Sequence, residues 1–183
     1  MSCKAIFVAG LLMFYAGGVS AADSETVFEL DEEDIYARLV VRSADQLSAF
    51  YQGREFPDSA LKEILKVCMI TPIIKNRQYD VAWIKLDQWQ FTVDDKVISR
   101  LDRSWWKTVW QKQALPLRFQ ATFGWTLMPE ERDLRLDEGV GGSVVIPWQD
   151  KPVNLLIRLP VEQGDKKSMR EIEFKGIMCS GKS

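Results

Sequence analysis

Short stretches of alternating or continuous apolar residues recur along most of the chain, and they predict β-strands. IYARLVVR (35–42) is rich in β-branched and apolar residues, which is typical of a strand. LRFQATFGWTL (117–127) has an apolar residue at every second position. A period of two predicts an antiparallel strand with one buried and one solvated face.

Turn residues divide the other apolar stretches into further strands. Asp94 and Asp95 separate residues 81–93 from residues 96–101, and two adjacent aspartates favour a tight hairpin turn. A turn at 149–152 predicts that the strands on either side of it are joined directly. These remaining strands are predicted at 143–148, 154–161 and 171–179.

Helical spacing is confined to the region after the first predicted strand. Ser43 and Gln46 have the spacing of a capping box, which predicts the start of a short helix. A second helix is predicted after Pro57, because Leu61, Ile64, Leu65 and Cys68 are spaced for one apolar helix face. This spacing places Cys68 on that helix and predicts that its side chain points inward.

Many strands with only two short helices near the N-terminus predict a mainly β fold. We expect an antiparallel β-sandwich, of which an immunoglobulin-like arrangement is one version. A β-barrel is the alternative. Residues 35–183 are expected to form a single β-rich domain, whereas the acidic residues 22–34 are expected to be a flexible leader.

The first 21 residues have the order of features found in a signal peptide. Lys4 is followed by the apolar run AIFVAGLLMFY (5–15), and small residues lead to Ala21. This pattern predicts export and cleavage after Ala21. We therefore predict a periplasmic or secreted protein, with no integral membrane segment after cleavage.

Composition narrows the possible functions. The chain has no histidine and a formal net charge of −2, so a nucleic-acid partner is not indicated. The absence of histidine removes the Ser-His and Cys-His nucleophile pairs and all imidazole metal ligands. No cofactor is predicted, and catalysis is not favoured.

Cys68 and Cys179 are the two cysteines that remain after the predicted cleavage, since Cys3 belongs to the signal peptide. In an oxidising compartment an isolated pair predicts a disulfide. The alternative is a thiolate–thioether site for Cu(I) that uses the dipeptides Cys68-Met69 and Met178-Cys179.

Three tryptophans lie close together among cations in RSWWKTVWQKQ (103–113). Indoles beside cations are suited to contacts with a partner or ligand. The alternative is that the indoles are buried under the open end of the sandwich. The candidate binding residues are Arg103, Trp105, Trp106, Lys107 and Trp110.

Carboxylates are concentrated in PEERDLRLDEG (129–139). Two facing carboxylates can hydrolyse a glycosidic bond, so Glu130, Glu131, Asp133 and Glu138 are candidates for a carbohydrate-active enzyme. The arginines and leucines between them favour a solvated strand edge instead.

These observations together predict an exported, non-catalytic binding or accessory protein of the bacterial envelope. It would recognise another envelope protein or a small ligand. A carboxylate-dependent carbohydrate-active enzyme and a Cu(I) carrier are the alternatives.

Overall fold

The architecture is seen in a computed structural model that describes residues 26–180. The predicted signal peptide (1–21) lies outside these residues. Within them the protein is mainly β, with two antiparallel sheets that are not closed into a barrel and four α-helices. The prediction of an antiparallel β-sandwich is confirmed, and the alternative of a barrel is wrong.

The first sheet has β3 at its centre. β2 pairs with one edge of β3 and with β1, while β8 and β9 pair with the other edge of β3. The strands are β1 (Thr26–Asp31), β2 (Ile35–Val41), β3 (Val67–Asn76), β8 (Gly139–Gly141) and β9 (Val144–Pro147).

The second sheet is organised around β10, which pairs with β11 along one edge and with β4 and β5 along the other. β7 pairs with β4, and β6 pairs with β5. The strands are β4 (Val81–Lys85), β5 (Gln90–Val93), β6 (Lys96–Ile98), β7 (Glu131–Arg135), β10 (Val153–Gln163) and β11 (Lys166–Ile177). A short 3-10 helix (Leu86–Gln88) joins β4 to β5.

Part of the predicted leader is a strand. Residues 26–31 form β1 and pair along their whole length with β2, so the prediction of a flexible leader over 22–34 is wrong for this segment. Phe28 and Leu30 pack against the core, while Glu29 and Asp31 are exposed. The segment therefore has the period of two that a strand at the edge of a sheet requires.

The two helices predicted near the N-terminus are present. α1 (Ala44–Gln52) begins with the predicted capping box, in which Ser43 and Gln46 bond each other's backbone N–H. α2 (Asp58–Ile64) follows it. Two more helices, α3 (Arg103–Lys112) and α4 (Leu117–Thr126), bring the number in the described residues to four.

The strand predicted over 117–127 is the helix α4, and this prediction is therefore wrong. Residues at every second position form two sets in which the spacing is four. In a helix, residues four apart lie on the same face, so this stretch has two apolar stripes. One stripe, with Phe119, Phe123 and Leu127, is buried against the aromatic residues of α3. The other stripe, with Leu117, Ala121 and Trp125, faces solvent.

Cys68 lies on β3 and not on the second helix, so the predicted location is wrong although its side chain is buried. α2 ends at Ile64, and the β-branched residues that follow favour a strand. Pro72 is compatible with this strand because the ladder with β9 ends at Ile70 and the ladder with β8 begins at Ile73. Pro72 therefore lies at a gap between the two ladders.

Both predicted turns are present. The hairpin at Asp94 and Asp95 is confirmed, and both residues have the positive φ that a tight hairpin turn favours. Residues 149–152 join β9 directly to β10, as predicted. Because β9 belongs to the first sheet and β10 to the second, this connection crosses between the sheets.

The described residues form two hydrophobic cores that share the first sheet. The inner faces of the two sheets enclose one core, which includes Leu39 of β2 and Ile157 of β10. The outer face of the first sheet packs against the four helices and forms the other core, through Met69 of β3 and Val145 of β9. The result is three layers, with the helices covering part of one outer face.

Candidate functional site

An apolar groove of about 630 Å³ lies between α1, α4 and the outer face of the first sheet. It is the part of that face where the helical layer does not fully cover β3 and β8. The side chains that give it an apolar character are Leu47, Phe50, Met69, Ile73 and Trp125. We refer to this surface as the apolar groove.

Trp125 projects from the rim of the apolar groove, and its side chain is 90% exposed. Phe50 of α1 and Ile73 of β3 also line the groove and are exposed to 40% and 37%. Fully burying a large apolar side chain is worth about 1.5–3 kcal/mol. Three exposed apolar residues around one concave surface therefore offer substantial stabilisation to a molecule that covers them.

Hydroxyl groups at the base of the apolar groove are bonded to one another. The Tyr51 hydroxyl lies 3.0 Å from Thr126 Oγ1, which donates to the Phe123 carbonyl. Thr71 Oγ1 lies 3.1 Å from Ser143 Oγ. Because these polar atoms already have partners within the protein, an apolar ligand can cover them without leaving them unpaired.

Tyr51 is not suited to proton transfer near neutral pH. Its side chain is buried, and this burial raises the pKa of Tyr51 to about 12. Among residues 26–180, no carboxylate lines the apolar groove. The described lining, which is apolar with hydrogen-bonded hydroxyl groups, is suited to binding a ligand.

The position of Trp125 depends on how α4 meets the first sheet. The Ser143 N–H donates to the Thr126 carbonyl at 2.7 Å, and the Met128 N–H donates to the Ser143 carbonyl at 3.0 Å. A Cβ atom on Gly142 would lie only 2.6 Å from Met128 N. This close approach requires glycine, and it fixes the end of α4 beside the apolar groove.

The predicted tryptophan segment forms α3, and its aromatic side chains are divided between core and surface. Trp106 and Trp110 are buried, stack with ring centroids 4.8 Å apart and contact Phe123. Both indoles also line a small cleft between α3 and α4, and binding of a partner by Trp106 or Trp110 remains a prediction. Trp105 is partly exposed, with 37% of its surface accessible.

The two predicted cationic residues of α3 differ in their surroundings. Arg103 donates to the carbonyls of Gly124, Leu127 and Met128, so it caps the end of α4. Lys107 is exposed and lines a small cleft between α3 and α4. Binding of a partner by Trp105, Arg103 or Lys107 remains a prediction.

Cys68 and Cys179 form the predicted disulfide, with their Cα atoms 5.3 Å apart. The bond joins β3 to the residues that follow β11. It leaves no thiolate at either cysteine, so the Cu(I) alternative has no thiolate ligands while the disulfide is intact. Met69 packs in the helical core, whereas Met178 is exposed.

The candidate catalytic carboxylates lie on and around β7, away from the apolar groove. Glu130 pairs with Arg100 at 2.8 Å, and Asp133 pairs with Arg135 at 3.8 Å. Glu131 is exposed on β7, and Glu138 accepts from the Arg135 backbone N–H. This mixture of exposed and paired charges is typical of the solvated strand edge that the sequence favoured.

A second cleft, at one end of the sandwich, is acidic and is crossed by an ion pair between the sheets. Asp34 Oδ2 accepts from the Tyr79 hydroxyl at 2.6 Å and from Arg170 Nε at 2.9 Å. Burial alone would raise the pKa of Asp34, but these two donors outweigh it and lower that pKa. Burial and then the neighbouring Asp34 raise the pKa of Tyr79 to about 12. We interpret this cluster as a structural connection between the sheets.

Sequence reasoning missed the apolar groove because the strand predicted over 117–127 places Trp125 on its apolar, buried face. The spacing of Phe119 and Phe123, which are four residues apart, indicates a helix. It equals the spacing of Trp106 and Trp110, the two stacked indoles of α3. A helical period in that stretch would have placed Trp125 on the outside.

Comparison with known proteins gives no family for the chain. No family model matches, and no curated protein matches. A solved structure from Bacillus subtilis subsp. subtilis, described as a "putative lipoprotein (ycdA)", is similar to 84% of this chain with 12% sequence identity and a TM-score of 0.40. The chain spans 39% of the length of that protein. Within residues 26–180, no helix has the length and apolar character needed to cross a bilayer.

Proposed function

We propose that the protein is an exported, non-catalytic binding protein of the cell envelope and that its apolar groove binds apolar side chains of a partner protein. The observation that carries this proposal is the exposure of Trp125 at the rim of the groove. Trp, Tyr, Arg and Met are enriched at protein interfaces, and the groove is lined by one or more of each.

Two observations support an extracytoplasmic location. The first residues contain a positive charge, an apolar run and then small residues, which is the order found in an export signal. Cys68 and Cys179 are joined by a disulfide, and such bonds persist mainly in oxidising compartments such as the periplasm. Periplasmic location after cleavage near Ala21 is therefore part of the proposal.

A protein partner is favoured over a small ligand by the geometry of the rim. Sites for small molecules bury most of the ligand between enclosing walls. Here the largest apolar side chain of the groove, Trp125, projects into solvent. A projecting indole is suited to insertion into a pocket of a partner protein, where Trp is a frequent hot-spot residue.

Site-specific photo-crosslinking in the producing cells tests the proposal. A photoreactive phenylalanine analogue replaces Phe50 in the groove, Trp105 on α3 or Val97 on β6, the last being an exposed apolar control on the second sheet. We expect a discrete crosslinked protein from position 50 only. The substitution Ile73→Glu should remove that product, because it places a charge in the apolar groove.

The other outcomes distinguish the alternatives. Crosslinking from position 105 but not from position 50 would support the sequence-predicted segment and would contradict the groove. A low-mass adduct at position 50, found by mass spectrometry without a crosslinked protein, would show that the groove binds a small ligand.

A further inference from the structure

The outer side of α4 is a convex apolar ridge. Leu117, Ala121 and Trp125 follow one another at intervals of four residues and lie opposite the buried Phe119 and Phe123. Leu117 is 80% exposed and is not among the residues that line the apolar groove. At 1.5 Å per residue, the ridge from Leu117 to Trp125 is about 12 Å long. We call these three residues the α4 ridge.

The helices that carry and support the α4 ridge are basic. From Arg103 to Pro129 the chain has four basic residues and no acidic residue, although acidic residues outnumber basic ones by 26 to 24 in the whole chain. The four cations are therefore concentrated in one helix pair, and the remainder of the molecule is acidic. This asymmetry gives the α3–α4 pair a positive local potential.

Three of these cations are available to an external anion. Lys107, Lys112 and Arg118 are exposed, and within residues 26–180 none of them makes an ion pair. Lys107 lies in the cleft beside Gln120 and Gly124, on one side of the α4 ridge. Arg118 lies on the other side and is stacked on the Phe119 ring at 4.5 Å.

We propose that the α4 ridge binds the surface of a bilayer that contains anionic phospholipids. Leu117 and Trp125 enter the headgroup region, and Lys107 and Arg118, which lie on either side of the ridge, contact lipid phosphates. Trp favours the membrane–water interface because its ring is apolar and its N–H is polar. An apolar stripe flanked by Lys and Arg is the pattern of a helix that lies in the plane of the interface.

Shape and charge favour a bilayer over a second protein at this surface. The α4 ridge is convex, whereas the apolar groove beside it is concave. A convex ridge with cations on both sides can enter a soft anionic surface without needing a complementary pocket. The inference goes beyond the proposed function, because Leu117 and Lys107 do not line the apolar groove. Trp125 belongs to both surfaces, so a partner in the groove and a bilayer on the ridge would compete for its side chain.

Vesicle flotation with the exported form of the chain tests the inference, after mass spectrometry has defined its N-terminus. Neutral phosphatidylcholine vesicles are compared with vesicles that also contain phosphatidylglycerol. We expect binding to the anionic vesicles only, and we expect the binding to weaken as salt is added. Lys107→Gln and Arg118→Gln should each weaken it about fivefold.

Leu117→Asp should abolish flotation, while Val97→Asp is the control for an exposed apolar residue elsewhere and should have no effect. The exposed positions of Leu117 and Val97 mean that both variants should fold. Circular dichroism and urea unfolding verify this. As an independent readout, quenchers attached to the lipid should reduce the tryptophan fluorescence of the wild-type protein. This reduction should be smaller in the variant Trp125→Phe.

Three results would overturn the inference. They are equal binding to neutral vesicles, no binding to either vesicle, and binding that Leu117→Asp leaves intact. If no vesicle is bound but crosslinking from position 121, also on the α4 ridge, gives a protein that Leu117→Asp loses, a protein and not a bilayer covers the ridge. Ile73→Glu separates the two proposals, because it should abolish the groove crosslink and leave vesicle binding unchanged.

Discussion

Phe123 and Trp125 lie two residues apart in α4, and their side chains have opposite environments. The Phe123 ring is 1% exposed and lies 4.4 Å, centroid to centroid, from the Trp106 ring. Trp125 is 90% exposed on the other side of the helix. The helix therefore has one face that holds the fold together and another that is free for contacts.

Substitution of these two residues should separate stability from binding. Phe123→Ala removes a ring that contacts Tyr51, Trp106 and Trp110, so we expect a loss of about 3–5 kcal/mol in the free energy of unfolding. Trp125→Ala should change that free energy by no more than about 0.5 kcal/mol. Urea unfolding measures both values. A large destabilisation by Trp125→Ala would show that its side chain has a structural role.

Two glycines should respond to alanine in opposite directions. Gly124 is inside α4, and a Cβ atom there would meet only the Arg103 Nη1 atom, at an ordinary 3.5 Å. Gly124→Ala should therefore stabilise the protein by about 0.5–1 kcal/mol, because it reduces the entropy of the unfolded chain.

Gly142→Ala should destabilise the protein instead, since the added Cβ would lie 2.6 Å from Met128 N and the backbone would have to move. We expect a loss of about 1–3 kcal/mol and a change in the fluorescence of Trp125, which lies beside this connection. Thermal or urea unfolding of the two variants checks the signs. Equal effects would contradict the close approach at Gly142.

The ion pair between the sheets predicts a specific loss of stability in acid. The Tyr79 and Arg170 donors hold the pKa of Asp34 below its usual range in the folded protein. The ionised carboxylate therefore contributes its full stability above the unfolded pKa of about 4, and this contribution is lost as the pH falls through the lowered folded pKa.

Asp34→Asn should be less stable than wild type at neutral pH, and this difference should shrink as the pH falls below about 4. Asp165→Asn, in the exposed turn after β10, is the matched control. Unfolding free energies measured across the acid range give the comparison. A constant difference between wild type and Asp34→Asn would exclude a contribution from ionisation of Asp34.

Loss of the disulfide should be costly because the loop it closes is long. Cys68 and Cys179 are 111 residues apart, and closing a loop of this length stabilises by up to about 4–5 kcal/mol in the chain-entropy model. Urea unfolding with and without reductant should show a large shift for wild type. The double variant Cys68→Ala/Cys179→Ala should be insensitive to reductant.

The sequence predicted local structure correctly where a short pattern of residues is compatible with only one backbone conformation. The capping box of Ser43 and Gln46 and the aspartate turn at 94–95 were predicted correctly, because each depends only on neighbouring residues. The partner of Cys68 could be predicted because Cys68 and Cys179 are the two cysteines left once Cys3 is assigned to the signal peptide. Its position on β3 could not, because the spacing of Leu61, Ile64 and Cys68 continues past the true end of the helix.

The errors occurred where packing between distant elements decides the outcome. Leu117–Leu127 fits a strand by its alternation and a helix by its spacing of four, and only contact with Trp106 and Trp110 selects the helix. The apolar groove was missed for the same reason, because its rim residue Trp125 is exposed only in the helical conformation. Burial of Trp106 and Trp110 likewise depends on α4.

The disulfide also has a consequence for β3 itself. Successive residues of this strand serve different cores: Met69 faces the helices, while Cys68 and Ile70 face the second sheet. Sliding the strand by one position would interchange those two sets of side chains. Because the sulfur of Cys68 is covalently held from the second-sheet side, such a slip would have to break a bond, and the oxidised chain can accept only one alignment of its central strand.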